Sequence, residues 1–184
     1  REIKSAFSQY LSPALVNRIS RAPGLLKLGG EQKELSILFA DLRGFTTVSE
    51  SFKDDPATLT SIINRILTPL TEIVHAHQGT VDKYIGDCIM AFWNAPLDVD
   101  DHAEKAVQAA VAMVDAMPGI NAALEDEFGH SGFRLGVGVN SGSVVVGNMG
   151  SQTRFDYSVL GDAVNLSARL EGQSKVYGVD IVVG

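Results

Sequence analysis

The sequence predicts an α+β domain built on a ferredoxin-like split βαβ sheet, with helices on one face of the sheet and additional strands. Short apolar runs typical of buried strands alternate with longer segments that carry apolar residues at helical spacing. Taken in order, these segments give β-α-β-β-α-β, which is the order of the split βαβ motif. At 184 residues with 45% hydrophobic content, the chain fits a single domain with a substantial core.

The first 31 residues are predicted to lie outside the main domain. Apolar residues at helical spacing over residues 3–20 predict a short helical lead-in. Gly29-Gly30 then marks the end of a linker, so the main domain is expected to cover residues 32–184. Because the chain begins at Arg and stops directly after a predicted strand, we expect it to be an excised part of a longer protein, truncated at its C-terminal end.

The first half of the main domain is predicted to contain a strand, a helix and a hairpin. An apolar run that ends in an acid predicts a strand over residues 35–41. The segment 57–77 carries its apolar residues on one helical face, and we expect Pro69 to kink this helix. Two apolar-rich strands, 80–84 and 87–93, are predicted to form a hairpin around a tight turn at Ile85-Gly86.

The second half is predicted to contain two further helices and three strands. A helix over 103–117 is expected to break at Pro118-Gly119 before a shorter continuation to Phe128. The remaining predicted elements are strands at 133–140 and 144–148 on either side of Ser141-Gly142, a helix at 161–171 and a last strand at 179–183.

Two aspartates stand at the ends of predicted strands and are the first candidates for a functional site. Asp41 closes the apolar run from Leu35 to Ala40, and Asp87 follows the hairpin turn. Two such carboxylates suit a hard cation such as Mg²⁺ or Mn²⁺, which usually also binds substrate phosphates. The alternative is that Asp41 caps the following helix and Asp87 occupies a hairpin turn, without any metal.

The charge, cysteine content and hydropathy of the chain limit which partners and which cellular compartment we expect. A net charge of −7 argues against a nucleic-acid partner, because phosphate backbones require clustered Lys and Arg. The single cysteine, Cys88, lies in an apolar stretch, where we expect core packing rather than nucleophilic chemistry in a reducing compartment. No apolar run approaches the roughly 20 residues that span a bilayer. We therefore expect a soluble, cytoplasmic domain.

Four blocks of sequence together resemble the class III nucleotidyl cyclases, the adenylyl and guanylyl cyclase catalytic domains, and most closely the bacterial adenylyl cyclase type. The resemblance covers roughly residues 32–184, and it rests on the blocks Phe39–Thr46, Lys83–Phe92, Leu135–Gly142 and Leu160–Arg169. It implies the fold predicted above and a metal-dependent conversion of ATP to 3′,5′-cyclic AMP and pyrophosphate in signal transduction.

The resemblance also implies a role for each motif residue. Asp41 and Asp87 correspond to the aspartates that bind two divalent cations, Mg²⁺ or Mn²⁺, with the Leu42 carbonyl as a candidate further ligand. The backbone N–H groups of Gly44, Phe45 and Thr46, at the start of a helix, are placed to hold terminal phosphates. Simple helix capping by Thr46 or Thr47 is an alternative for that loop, and both interpretations can hold together.

The remaining motif residues correspond to those that bind the nucleotide and stabilise the transition state. Asn165 and Arg169 lie four apart on one helical face, and the family uses them to orient the ribose and stabilise the phosphate. Lys83 and Ser158 correspond to the two positions that select the base. Lysine only donates hydrogen bonds, which suits the N1 acceptor of adenine, whereas Ser158 discriminates less well and leaves GTP open. Asp156 is expected to be a surface residue.

By resemblance, the active sites form at the interface of a homodimer. The metal aspartates would come from one protomer, and Lys83, Ser158, Asn165 and Arg169 from the other. The lead-in implies a parent protein with an N-terminal sensor region, which could carry a membrane anchor and place the catalytic domain on the cytoplasmic side. Two alternatives stay open: a guanylate or dual-specificity cyclase, and a non-catalytic nucleotide-binding signalling module.

Overall fold

The computed structural model describes Val16, Ser20, Arg21 and residues 29–184. Val16, Ser20 and Arg21 are helical, and the rest of the predicted lead-in helix and linker lies outside the described residues. The continuous stretch of described residues begins in a strand at Gly29. Gly29-Gly30, which we predicted to lie in the linker, therefore belongs to the first strand.

In the described part of the chain, six strands form one mixed sheet, and their bounds are Gly29–Arg43 (β1), Thr80–Ile85 (β2), Cys88–Trp93 (β3), Arg134–Gly150 (β4), Phe155–Leu160 (β5) and Ile181–Val183 (β6). The order is β2-β3-β1-β4-β5, and β6 adds to β4 in parallel. Because β3 is antiparallel to both β1 and β2, these two strands run in the same direction with β3 between them. This arrangement is the predicted split βαβ, and the α+β fold class is confirmed.

Within residues 29–184, four helices accompany the sheet, and their bounds are Phe45–Ser51 (α1), Pro56–Ala76 (α2), His102–Phe128 (α3) and Asp162–Tyr177 (α4). The start of α2 is fixed locally, because the carboxylate of Asp55 accepts hydrogen bonds from the backbone N–H of Thr58 at 3.2 Å and from its hydroxyl at 2.6 Å. Pro56 follows at the first helical position, where its missing N–H costs nothing.

The central strand β1 is buried on both faces, and this divides the core into two clusters. Leu38, Ala40 and Leu42 point to one face, where they pack with α2 and α3. Leu35, Ile37 and Phe39 point to the other face. There they pack in one cluster with Val159 of β5 and Val164 at the start of α4. The alternation follows from the twofold side-chain period of a strand.

Helix α4 covers the face of the sheet opposite the one covered by α2 and α3. The prediction of helices on one face is therefore wrong for this helix. Gly138 of β4 explains the close approach: a Cβ at this position would lie 2.3 Å from the backbone nitrogen of Glu171 and 2.5 Å from the carbonyl oxygen of Ser167. A strand with any larger residue here would push α4 away from the sheet.

Helix α3 and strand β4 both continue where we predicted interruptions. The predicted break at Pro118-Gly119 is wrong, because α3 keeps one buried face through Met117, Ile120 and Leu124 on both sides of Pro118. This helix is long and apolar enough to cross a membrane by length and composition, but that buried face forms part of the domain's core. Its hydropathy is therefore accounted for by packing within the domain.

The two strands predicted around Ser141-Gly142 are one strand. Ser141 and Gly142 lie opposite Ser36 and Leu35 of β1, within a ladder that runs the whole length of β1. The pairing supplies the backbone hydrogen bonds that a turn would otherwise require. Strand β5, Phe155–Leu160, was not predicted at all, and it is the strand that carries Ser158.

Candidate functional site

Asp41 and Asp87 lie side by side at one end of the central strands. Asp41 is opposite Cys88 in the β1–β3 ladder, and Asp87 precedes Cys88 in the hairpin turn. The turn is formed by Gly86 and Asp87, because Gly86 adopts a left-handed φ of 62°. Asp87 therefore occupies a turn, as the alternative interpretation held, and that turn carries it to within hydrogen-bonding reach of Asp41.

The environment of Asp41 makes its negative charge costly without a counter-ion. Burial, and then the neighbouring Asp87 carboxylate, raise the pKa of Asp41 from an ordinary 3.8 to about 6. The backbone N–H of Leu42 and the ammonium of Lys175 oppose this rise only in part. A pair of carboxylates held together at such a cost is the arrangement expected of a cation site.

Glu171 of α4 is a third acid near this pair, and sequence reasoning missed it. Burial raises the pKa of Glu171, and Asp41 raises it further, while the nearby Arg43 lowers it. Arg43 also holds α4 in place, since its Nη2 donates to the Ser174 hydroxyl at 2.8 Å. The sequence feature that could have indicated Glu171 is the pair Gly136 and Gly138 on one face of β4. The missing side chains leave room for a helix that brings polar residues close to the strand.

The candidate ligands at this end of the sheet suit a metal ion that takes its remaining ligands from the oxygens of a substrate. Among the described residues, no group of three or more His, Cys, Asp or Glu side chains forms a metal cluster. Two carboxylates and the Leu42 carbonyl supply oxygen ligands only, which suits Mg²⁺ or Mn²⁺. Such ions commonly bind through one or two carboxylates plus phosphates.

The loop after β1 leads directly into the short helix α1. Gly44 precedes the helix with a left-handed φ of 75°, and no side chain caps the helix start. Capping by Thr46 or Thr47 is therefore wrong. The ring of Phe45 packs toward Phe133 with centroids 6.5 Å apart, which anchors the loop while its backbone stays at the surface.

Lys83 and Ser158 come together through a residue that we did not predict. β2 and β5 stand at opposite ends of the strand order, yet the hydroxyl of Ser158 donates to Asp82 Oδ2 at 2.6 Å. The Nζ of Lys83 lies 3.9 Å from the other oxygen of the same carboxylate. The sheet therefore curls until its two ends meet, and the predicted base-selecting residues share one acid.

Asn165 and Arg169 project from the first half of α4 and are exposed. The opposite side of the same helix is buried through Val164, Ser167 and Ser174, and Ser167 donates to the Ile37 carbonyl at 2.8 Å. This packing fixes the rotation of α4, so that Asn165 and Arg169 share its outer face. Among the described residues, no hydrogen bond or ion pair joins these two side chains to the Asp41–Asp87 pair.

Cys88 lies beside the acid pair but has no nucleophilic character. Burial and the nearby carboxylates, Asp41 first, raise the pKa of its thiol to about 12. This agrees with its expected role in packing. Asp156 is exposed, as expected, but it also lines the cavity next to Lys83.

The sequence and the fold match one family. The family described as "Adenylate and Guanylate cyclase catalytic domain" matches residues 30–182. "Adenylate cyclase 1" of Rhizobium meliloti is 31% identical over 182 residues, covering 99% of this chain and 27% of that protein. The chain thus spans about a quarter of the length of this curated relative.

Solved cyclase structures match the fold as well. The crystal structure of the guanylyl cyclase Cya2 is 36% identical with a TM-score of 0.75, covering 79% of this chain and 73% of that one. The adenylyl cyclase CyaB from P. aeruginosa is 34% identical with a TM-score of 0.74, covering 79% and 74%. The resemblance stated from the motifs is confirmed, and the chain belongs to the family of adenylate and guanylate cyclase catalytic domains.

Proposed function

We propose that this nucleotidyl cyclase domain converts ATP to 3′,5′-cyclic AMP and pyrophosphate. The observation that carries the proposal is the pairing of a donor-only lysine with a serine at the base-selecting positions, in a domain that also keeps both aspartates and the Asn165–Arg169 pair. A domain that had lost catalysis would have no reason to retain all of these polar groups.

Asp41, Asp87 and the Leu42 carbonyl are the residues that would hold two divalent cations. When bound, the cations lower the pKa of the attacking 3′-hydroxyl and neutralise charge on the triphosphate. The raised pKa of Asp41 supports this assignment, because a cation relieves the repulsion between the two carboxylates. The backbone N–H groups of Gly44, Phe45 and Thr46 would bind the terminal phosphates, since no side chain competes for the start of α1.

Arg169 and Asn165 would act on the reacting part of the nucleotide. The guanidinium of Arg169 carries a permanent charge and a fork that matches phosphate oxygens, so it would stabilise charge that develops on the α-phosphate. Asn165 would orient the ribose through its amide. Both side chains point outward from α4, which supports the view that the reacting nucleotide lies against another surface as well.

That surface would be a second copy of the chain. In a homodimer with two equivalent sites, the metal half of one protomer faces the Lys83, Ser158, Asn165 and Arg169 half of its partner. The exposure of Lys83, Asn165 and Arg169, which leaves them open to a partner, supports the arrangement. Exposed apolar side chains are available for such an interface, and they include Leu160, 66% exposed, and Leu166, 38% exposed.

We further infer that the domain works on the cytoplasmic side within a longer signalling protein that supplies its input. Two facts support this: the chain spans 27% of the Rhizobium meliloti relative, and its one cysteine in the printed sequence suits a reducing compartment. The N-terminal region of such a parent would hold the sensor, and it is also where a membrane anchor would lie.

A guanylate or dual-specificity cyclase is the second candidate, because a guanylyl cyclase structure matches this chain as well as an adenylyl one does. Chromatographic analysis of the products from ATP and GTP, each with Mn²⁺ or Mg²⁺, separates the two. We expect cyclic AMP as the main product, formed with an activity per molecule that rises with protein concentration. Equal or greater turnover of GTP would contradict the base assignment, and binding of ATP without any cyclic product would contradict the enzyme assignment.

A further inference from the structure

Asp82 is a buried carboxylate at the point where β2 and β5, the two ends of the strand order, meet. Its side chain is 1% exposed, and the Oδ1 atom has no hydrogen-bond partner. Burying a carboxylate with an unsatisfied oxygen destabilises a protein, so such groups are rare outside functional sites. Burial, and to a smaller extent the Asp156 carboxylate, raise the pKa of Asp82, while the Ser158 hydroxyl, Lys83 and the backbone N–H of Val159 lower it.

A β-bulge gives Asp82 its position. Val81 pairs with Ala91 and Lys83 with Met90, so Asp82 is an extra residue without a partner in β3. A cavity of about 230 Å³ lies beside this bulge, and it is lined by Val81–Tyr84 and by Asp156 of β5.

The hydrogen bond between Ser158 and Asp82 determines what Ser158 can offer to a ligand. A serine hydroxyl has one proton to donate and two lone pairs that accept. At 2.6 Å, the Ser158 proton is engaged by Asp82 Oδ2, in the range of a strong bond to a carboxylate. The Ser158 oxygen is left with lone pairs only, and it can therefore act only as an acceptor toward a ligand.

Resting on the proposed cyclase activity, we propose that Asp82 is a positioning residue that sets base specificity by fixing the Ser158 hydroxyl as an acceptor. Adenine presents an amino group at its 6-position, which donates to such an acceptor, whereas guanine presents a carbonyl oxygen, which is repelled. Without Asp82, the hydroxyl can rotate and donate to the guanine oxygen. The second carboxylate oxygen lies 3.9 Å from the Nζ of Lys83, the other base-selecting residue.

A purely structural role makes a different prediction. If Asp82 only joins the curled ends of the sheet, its loss lowers stability and affects both nucleotides equally. If it acts through Ser158, its loss changes the preference between ATP and GTP, and that change disappears when Ser158 has no hydroxyl. The ratio of the two nucleotides therefore separates the two roles.

The experiment compares wild type, Asp82→Asn, Ser158→Ala and the double variant, by kcat/KM for ATP and GTP and by displacement of a fluorescent ATP analogue in the presence of Mn²⁺. Asp82→Asn keeps the shape of the side chain but can donate to Ser158 as well as accept. We expect it to reduce the ATP-to-GTP preference about tenfold, the value of one hydrogen bond gained or lost. In the Ser158→Ala background, the same change is expected to leave the preference unaltered.

Asp54→Asn is the control, because it removes a negative charge from an exposed residue that does not line the cavity. We expect the nucleotide preference to stay within about twofold of wild type. An unchanged preference in Asp82→Asn, or an equal effect with and without the Ser158 hydroxyl, would overturn the proposal. Failure of wild type to form any cyclic product would instead overturn the proposed function, and the displacement arm would still decide the role of Asp82.

Discussion

Replacing Asp41 by Asn is expected to stabilise the metal-free protein while abolishing its activity. Burial and the adjacent Asp87 raise the pKa of Asp41 from 3.8 to about 6, so the folded state disfavours the charged carboxylate at neutral pH. Asparagine removes the charge, and its carbonyl can still accept from the Leu42 N–H. The rise in pKa would correspond to about 3 kcal/mol for a fully buried group. Because Asp41 is only about half buried, solvent screening reduces the expected gain to about 1 kcal/mol.

The size of the stability difference depends on pH, and urea unfolding at several pH values can measure it. Below about pH 4 the carboxyl of Asp41 is protonated in both the folded and the unfolded state, so the variant and the wild type should be equally stable. Between pH 4 and about pH 6 the wild type should lose stability relative to Asp41→Asn, and above pH 6 the difference should stay constant. The measurement uses EDTA throughout, with Asp54→Asn, an exposed acid, as the control that shows no change.

Adding Mn²⁺ should reverse the order of stability at neutral pH. Wild type gains by binding the ion, whereas Asp41→Asn lacks a ligand and gains little. Lower stability of the metal-free variant at pH 7 would refute the reasoning, because the carboxylate would then be a stabilising group rather than a cation ligand held at a cost.

Three further predictions concern the catalytic face, the core and the cysteine. Arg169→Ala should lower cyclase turnover about 10²- to 10³-fold, with a change below about 0.5 kcal/mol in unfolding free energy, because the side chain is exposed. Ile66→Ala should lower the free energy of unfolding in urea by about 2–5 kcal/mol, because Ile66 of α2 is fully buried in the core. A smaller decrease would show that neighbouring side chains move in to fill the cavity. Cys88, whose thiol pKa is raised to about 12, should react with a thiol reagent at pH 8 far more slowly in the native protein than in urea, and equal rates would contradict its placement.

The sequence was sufficient to predict those elements that depend only on residues close together in the chain. The apolar run into Asp41 predicted the central strand, and Gly86 predicted the hairpin that carries Asp87, because both depend on neighbouring residues only. The two aspartates could therefore be placed close together before the structure was known. The effect of the two aspartates on each other's pKa could not be predicted, because it depends on how deeply the end of β1 is buried.

Elements that depend on distant partners were missed or misplaced. Ser141-Gly142 looks like a turn locally, but pairing with β1 keeps it in one long strand. Pro118 looks like a helix end, but burial of Ile120 and Leu124 carries α3 past it. Asp82 escaped notice for the same reason: its role arises from a bulge in β2 and from the curl of the sheet that brings Ser158 to it.

The central claim is that each active site combines the metal half of one protomer with the nucleotide-selecting half of another. Mixing two inactive variants, Asp41→Ala and Arg169→Ala, tests it most directly. Random pairing of equal amounts makes half of the dimers mixed, and each mixed dimer regains one intact site of two, so cyclic AMP formation should recover to about a quarter of the wild-type rate. No recovery, in a mixture shown to exchange subunits, would mean that both halves of the site belong to one chain and would contradict the account.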